Sequence, residues 1–378
     1  LLSLQGYFLF LPDYPNNRIM NHRLLMIMAA LLANVSLFAQ GERKDKTAVT
    51  YEEIYDEPYS VNKLFIGLQP LYGELFATNV NAGFGLEAVY YHKDKLDFRA
   101  HFRKTYGQQF YDFNRDLAKK KSSVDNRAEI FNYFELGGTY HVKDFEESSK
   151  TKMFLYKKSY RGDKWAARVP LHAEIPCKVR KIYGVRFGGI VWDSSVDLDR
   201  AMRAQGLTNE DLKEKGSDGN HLPLQEFLNP SRPEERVRAF SNITAAGLYL
   251  GGSMSWIKNV AVNFDKFEEG MDDLIFTAYF DILVSPSLSI DDVIYTHKDQ
   301  TTGAALHTSK YSASAIKTSP VGFRAGIDGR FNRQFSWSYG AEIGYRPSIQ
   351  KQTFYAVLKI SFPVFGTNLD YKVESFGK

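Results

Sequence analysis

The sequence predicts an all-β protein: an antiparallel transmembrane β-barrel of about 14 strands, or about 12 if the weakest fail, with a long, partly helical outer loop. Three observations lead there. Strand-length segments alternate apolar residues with glycine, serine or charge; the composition is rich in aromatics and glycine; and short polar turns are set against long polar loops.

The composition narrows the class. Of 378 residues, 44% are hydrophobic and 15% aromatic, with 28 Phe, 23 Tyr and 28 Gly against one Cys. Aromatic residues suit strands and glycine suits tight turns. The lone Cys177 excludes an internal disulfide framework or a thiolate metal cluster and reads as a small buried hydrophobe. A net charge of +4, interrupted throughout by acids, excludes a nucleic-acid surface.

In chain order, residues 1–19 precede Met20 and read as upstream translation. Residues 20–40 follow as a secretory signal peptide: His22 and Arg23, an apolar run from Leu24, then small residues up to Ala39. Asn34 and Ser36 interrupt the run short of the about 20 apolar residues a membrane helix needs, and no Cys follows it to carry a lipid. Residues 41–60 are expected as a periplasmic segment, 61–365 as the barrel, and 366–378 as a periplasmic tail.

Strands are expected over 63–76, 80–90, 96–106, 130–143, 151–160, 165–179, 181–192, 240–254, 259–264, 274–285, 292–297, 321–327, 335–345 and 354–362. The stretch "LDFRAHFRKTY" shows the pattern: Leu96, Phe98, Ala100 and Phe102 on one face, and Asp97, Arg99, His101 and Arg103 on the other. A sandwich would bury the apolar face, whereas a membrane barrel turns it to lipid. Glycine decides between them. On the water-facing side of a sandwich it would only weaken the strand, but in a crowded lumen Gly83, Gly85, Gly322, Gly326, Gly340 and Gly344 make room for larger neighbours. Tyr90, Tyr91, Tyr106, Tyr345 and Phe362 fall at strand ends, as interfacial aromatic girdles require.

"HKDK" and "FNRQ" are short turns, while 107–127, 193–239 and 298–319 are long polar loops, the asymmetry of outer-membrane barrels. Within the longest, "SSVDLDRAMRAQG" reads as a helix capped by Ser194 or Ser195 and ended by Gly206. "TNEDLKEKG" reads as a second, from Thr208 to Gly216.

The candidate functional residues are those expected on the inner face: Glu87, Asp97, Arg99, His101, Arg103, Glu135, Arg324, Asp328, Glu342 and Arg346. Rings of such charges set ion preference in an open pore, while opposite charges on neighbouring strands pair and fill a narrow one. His101, His141 and His172 occur beside strand serines, but no Gly-x-Ser-x-Gly is present, and no enzymatic activity is expected. The acids Asp193, Asp197 and Asp199, and the pairs Asp272–Asp273 and Asp291–Asp292, lack a calcium-loop register; they read as helix-terminal and solvated charges, so neither metal nor cofactor is expected.

The segments "TAYFDILVSPSLSIDDVI", "GFRAGIDGRF" and "YGAEIGYRPSIQKQTFYAVLKISFPVFG" give the chain a grammar that resembles outer-membrane β-barrel proteins of the Bacteroidota type. That resemblance implies an outer-membrane location, lipid as the surroundings, and a place among porin-like barrels or accessory barrels of secretion and gliding machineries. Two functions are expected: a channel or passive transporter for small solutes gated by the 193–239 loop, or a plugged barrel that supports a cell-envelope complex through periplasmic or envelope protein partners.

Overall fold

The computed structural model describes residues 49–76, 80–92, 95–107, 124–155, 172–217, 219–225, 236–265, 267–299, 302–332 and 337–366. The expected signal peptide and most of the expected tail lie outside the described residues.

Ten strands close an antiparallel barrel. In chain order the strands are β1 (Tyr51–Asp56), β2 (Leu64–Phe76), β3 (Val80–His92), β4 (Leu96–Thr105), β5 (Asn132–Phe154), β6 (His172–Asp197), β7 (Phe240–Ile257), β8 (Val260–Phe264), β9 (Gly270–Asp272), β10 (Leu274–Ile290), β11 (Val293–Lys298), β12 (Ala305–Tyr311), β13 (Thr318–Ser319), β14 (Val321–Phe331), β15 (Ser338–Tyr345), β16 (Ser348–Ile349) and β17 (Phe354–Gly366). Around the wall run β2, β3, β4, β5, β6, β7, β10, β14, β15 and β17, and β17 pairs with β2 to leave no open edge.

The strand count differs from the expected 14 for two reasons. The described parts of the segments expected at 130–143 and 151–160 belong to one strand, β5, and those of the segments at 165–179 and 181–192 to β6, because the hairpin continues past the barrel instead of turning at its rim. The segments expected at 259–264 and 292–297 form β8 and β11, which pair outside the wall. Alternation reports a two-faced strand but not which sheet it joins. The barrel runs from Leu64 to Gly366, and an even strand number returns both ends to one side, here called the terminal end.

The wall's outer face is apolar. Leu358 is 68% exposed and Leu248 66%, with Leu71, Leu75, Leu250, Phe280 and Ile282 also bare. Aromatic residues gather toward both rims: Phe331, Trp337 and Tyr339 at the terminal end, Phe323, Tyr345 and Phe354 at the loop end. Tyr90, Tyr106, Tyr345 and Phe362 are exposed as a girdle requires, but Tyr91 turns inward and packs against Val61. An apolar surface this continuous is foreign to proteins surrounded by water.

The short connections 92–96 and 331–338 lie at the terminal end, and the long 105–132, 197–240 and 290–321 at the opposite, loop end. Helix α1 (Leu198–Gln205) stands in the longest loop. Its cap is Asp197, which accepts from the Arg200 N–H at 3.1 Å, rather than Ser194 or Ser195, which stay buried in β6. Gly206 ends it in the left-handed conformation, at φ 77°. The expected second helix is only a 3-10 turn, Asn209–Asp211, its Thr208 N–H held by the Asp211 carboxylate at 2.7 Å. Beyond it the chain runs extended along β12 through Lys215 N to Lys310 O at 2.8 Å.

At the terminal end the β5–β6 hairpin continues beyond the barrel, pairing Lys143 with Tyr183 through to Phe154 with His172. The small sheet β1–β8–β9 packs near it: Met153 meets Gly270, where a Cβ would collide with its sulfur, and the Lys178 N–H on β6 donates to Asp56 of β1 at 2.8 Å.

A charged lumen

All ten candidate residues lie inside the barrel, and their contacts cross it in three tiers. Nearest the loop end, Glu74 accepts from both terminal nitrogens of Arg346 at 2.9 and 3.0 Å and faces Arg103 at 3.5 Å. The two guanidinium groups lie over the Tyr355 and Tyr133 rings, at 4.3 and 4.0 Å.

The middle tier centres on Arg324, which is 1% exposed. It donates to Glu135 at 2.6 and 2.9 Å, to Asp281 at 2.8 Å and to the Tyr133 hydroxyl at 3.2 Å, with Glu342 at 3.6 Å. Arg186 donates to the same Asp281 at 3.0 Å and stacks on Tyr279 at 3.9 Å. Glu342 accepts from the Tyr279 hydroxyl at 3.0 Å and from that of Tyr355. Buried charges survive where each is paired, and every charge of this tier is, although the Arg186 Nη1 makes no hydrogen bond.

In the third tier Arg99 bridges Asp97 at 3.0 Å and Asp328 at 3.3 Å. Asp97 also faces His141 at 3.2 Å, and Asp328 faces Lys359 at 2.9 Å. Glu87 accepts from Gln69 at 3.1 Å and from Ser338, with the His101 ring 3.8 Å away.

Glycine provides the space. A Cβ on Gly137 would overlap the Tyr249 hydroxyl, one on Gly188 would stand 2.6 Å from that ring, and one on Gly326 would strike Tyr279. Two of the largest lumen side chains therefore lie in slots cut by glycines on the wall, and Tyr249 in turn supports Arg324 at 4.5 Å.

Described residues gather at each end of the barrel. At the loop end α1, the 207–225 segment and the β11–β12 hairpin meet over an apolar core that includes Trp192, Leu198, Met202, Leu212, Leu222, Val293 and Tyr311. Gln205 ties α1 to Lys317 in both directions, at 2.8 and 2.9 Å. At the terminal end residues 57–62 form a strap. Asn259 donates to the carbonyls of Glu57 and Ser60 at 2.9 and 3.2 Å. Asn332 donates to Ser60 O at 2.8 Å and accepts from Asn62 N at 2.8 Å. Between these pins Val61 packs on Ile182, Ile257, Ile275 and Tyr91.

The loop acids are structural too. Asp199 accepts from Ala239 N at 3.3 Å and faces Arg238, Asp272 pairs with Lys258 at 3.0 Å, and Asp292 with Lys215 at 2.6 Å.

Glu74, Arg186, Asp281 and Lys359 belong to the network although the sequence reading did not single them out. Each is a charge within an alternating strand, as Asp281 in "TAYFDILV", so the signal was present. Tyr133, Tyr249 and Tyr279 had no such signal, because tyrosine is as much at home in a girdle as in a lumen.

No protein-family model and no curated protein matches the chain. Among solved structures, the toluene transporter TbuX of Ralstonia pickettii aligns at 7% identity over 81% of this chain and 90% of that one, with a TM-score of 0.23. A loop L8 deletion mutant of OmpT, an outer membrane protein of Vibrio cholerae, aligns at 10% over 80% and 99%, with a TM-score of 0.16. The barrel described here rests on its own strand pairing and not on these likenesses.

Proposed function

We propose that the chain sits in a bacterial outer membrane as a sealed barrel and serves a cell-envelope assembly as an anchoring or accessory component, not as an open channel for small solutes. The observation that carries this is Arg324: its fully buried guanidinium, from β14, is bonded to Asp281 of the neighbouring β10 and reaches across the lumen to Glu135 of β5. Ion passage would require that tier to come apart, at the cost of stranding charges in a low-dielectric interior. The bare outer face needs lipid, and closure satisfies the backbone there. The covering loops at one end and the β5–β6 extension at the other are then the parts that meet partners, with the terminal end facing the periplasm.

Planar-bilayer recording tests the reading. Protein that shows a heat-dependent gel shift is expected to insert without steady conductance, and to stay silent when 199–238 is replaced by a short linker, because the Arg324 tier lies below that cover. Stable single-channel steps in either form overturn it. Co-purification of envelope proteins that is lost when the β5–β6 extension is shortened supports the accessory role.

A further inference from the structure

Seven arginines among the described residues, Arg99, Arg103, Arg180, Arg186, Arg324, Arg330 and Arg346, are buried, and six of them hold a carboxylate. Arg330 does not. It is 7% exposed, and both of its terminal nitrogens are buried without a hydrogen-bond partner. Its guanidinium is flanked by aromatic rings, Phe65 at 4.9 Å and Tyr91 at 5.5 Å.

Arg330 also lines a pocket of about 40 Å³ below the strap, shared with Tyr91, Arg99, Glu87, Asp328 and Ser338. The two acids on that wall are engaged elsewhere: Asp328 by Arg99 and Lys359, Glu87 by Gln69, Ser338 and the nearby His101. A buried cation with unmet donors beside a cavity is expensive unless something anionic answers it.

We infer that this pocket is a binding site for a small carboxylate, held by Arg330 beneath the strap at the terminal end. The two terminal nitrogens of a guanidinium match the two oxygens of a carboxylate as a fork. The space is enough for one such group or a few waters but not for a bulky solute. Phe65 and Tyr91 flank the guanidinium without using its N–H donors, which stay available to a ligand. Glu87 opposes a bound anion, which sets the site at modest affinity. The site is independent of the barrel's being sealed or conducting.

Acetate is the probe. Full-length protein in detergent is titrated with sodium acetate at constant ionic strength, made up with sodium chloride, and the unfolding temperature is followed. Wild type is expected to show a saturable upward shift. Arg330→Gln loses the shift while retaining the heat-dependent gel shift, and Glu87→Gln reaches half-saturation at lower acetate. Arg330→Met, which removes the orphan charge, is expected to unfold at a higher temperature than acetate-free wild type. An acetate response equal in wild type and Arg330→Gln, no saturable response in either wild type or Glu87→Gln, or an Arg330→Met less stable than the acetate-free parent each overturns the assignment.

Discussion

Arg324 of β14 and Glu135 of β5, 189 residues apart in sequence, face each other across the lumen through two bonds of 2.6 and 2.9 Å. Neither strand neighbours the other in the wall, so the pair ties opposite sides of the barrel together. Arg324→Met leaves Glu135 buried with only the Tyr133 hydroxyl among its closest donors, and is expected to cost about 3–5 kcal/mol. Removing both charges, as Arg324→Met with Glu135→Leu, is expected to recover much of that loss, since no carboxylate is then stranded. Urea unfolding into lipid vesicles measures both; a single variant within about 1 kcal/mol of wild type would show the pair to be incidental.

The outer face makes a separate prediction. Leu358, in the middle of β17 and 68% exposed, touches lipid if the barrel spans a membrane. Leu358→Arg is then expected to destabilise by about 2–4 kcal/mol in bilayers. The same change on a water-facing strand would be nearly neutral. Reversible folding into vesicles decides, with Leu306, exposed in the β11–β12 hairpin outside the wall, as the control position for the same substitution.

These two results bear on how much the sequence could tell. The inward and outward faces of β4 were legible because its polar face is charged throughout, and a period of two assigns every residue once one is placed. The strand count was not, because nothing local separates a strand that stays in the wall from one that leaves it; β5 and β6 pass the rim with no break stronger than the register shift between His141 and Lys143. The ten charged candidates could be named from alternation, yet Arg330 escaped notice, since its lack of a partner is a property of the pocket and not of "IDGRF". The strap escaped for the same reason: "EPYSVN" carries no periodicity, and its position depends on Asn259 and Asn332, about 200 residues and more away.

The strap should open locally. Asn332→Ala removes two hydrogen bonds, to Ser60 O and from Asn62 N, and is expected to weaken this region by about 1–3 kcal/mol. Hydrogen exchange should rise at 57–62 while the amides of β3 and β4 remain protected, as expected when local opening is separate from global unfolding. Uniform loss of protection across the barrel would mean that the strap is part of one cooperative unit with the wall.

The β11–β12 hairpin in the loop-end cover is expected to respond to acid. His297 and His307 stand opposite each other with rings stacked at 4.4 Å, and the His297 Nε2 lies 2.7 Å from the Tyr311 hydroxyl. Burial, followed by the facing His307, holds His297 below its ordinary value of 6.5, against the opposing pull of Glu214. The folded hairpin thus binds this proton less readily than the unfolded chain does. Stability from this group is present above the unfolded value and is lost as pH falls through 6.5 toward the lower folded value. Hydrogen exchange across 293–311 is expected to be faster at about pH 5.5 than at about pH 7.5, after correction for the intrinsic rate, with the barrel amides unchanged. His297→Gln should remove most of the difference, because its amide carries no titratable proton. Equal acid sensitivity in that variant would place the effect on another group of the cover, Glu214 being the first to examine, since its carboxylate accepts from Asn220 at 2.8 Å and its backbone bridges Tyr311 of the same hairpin.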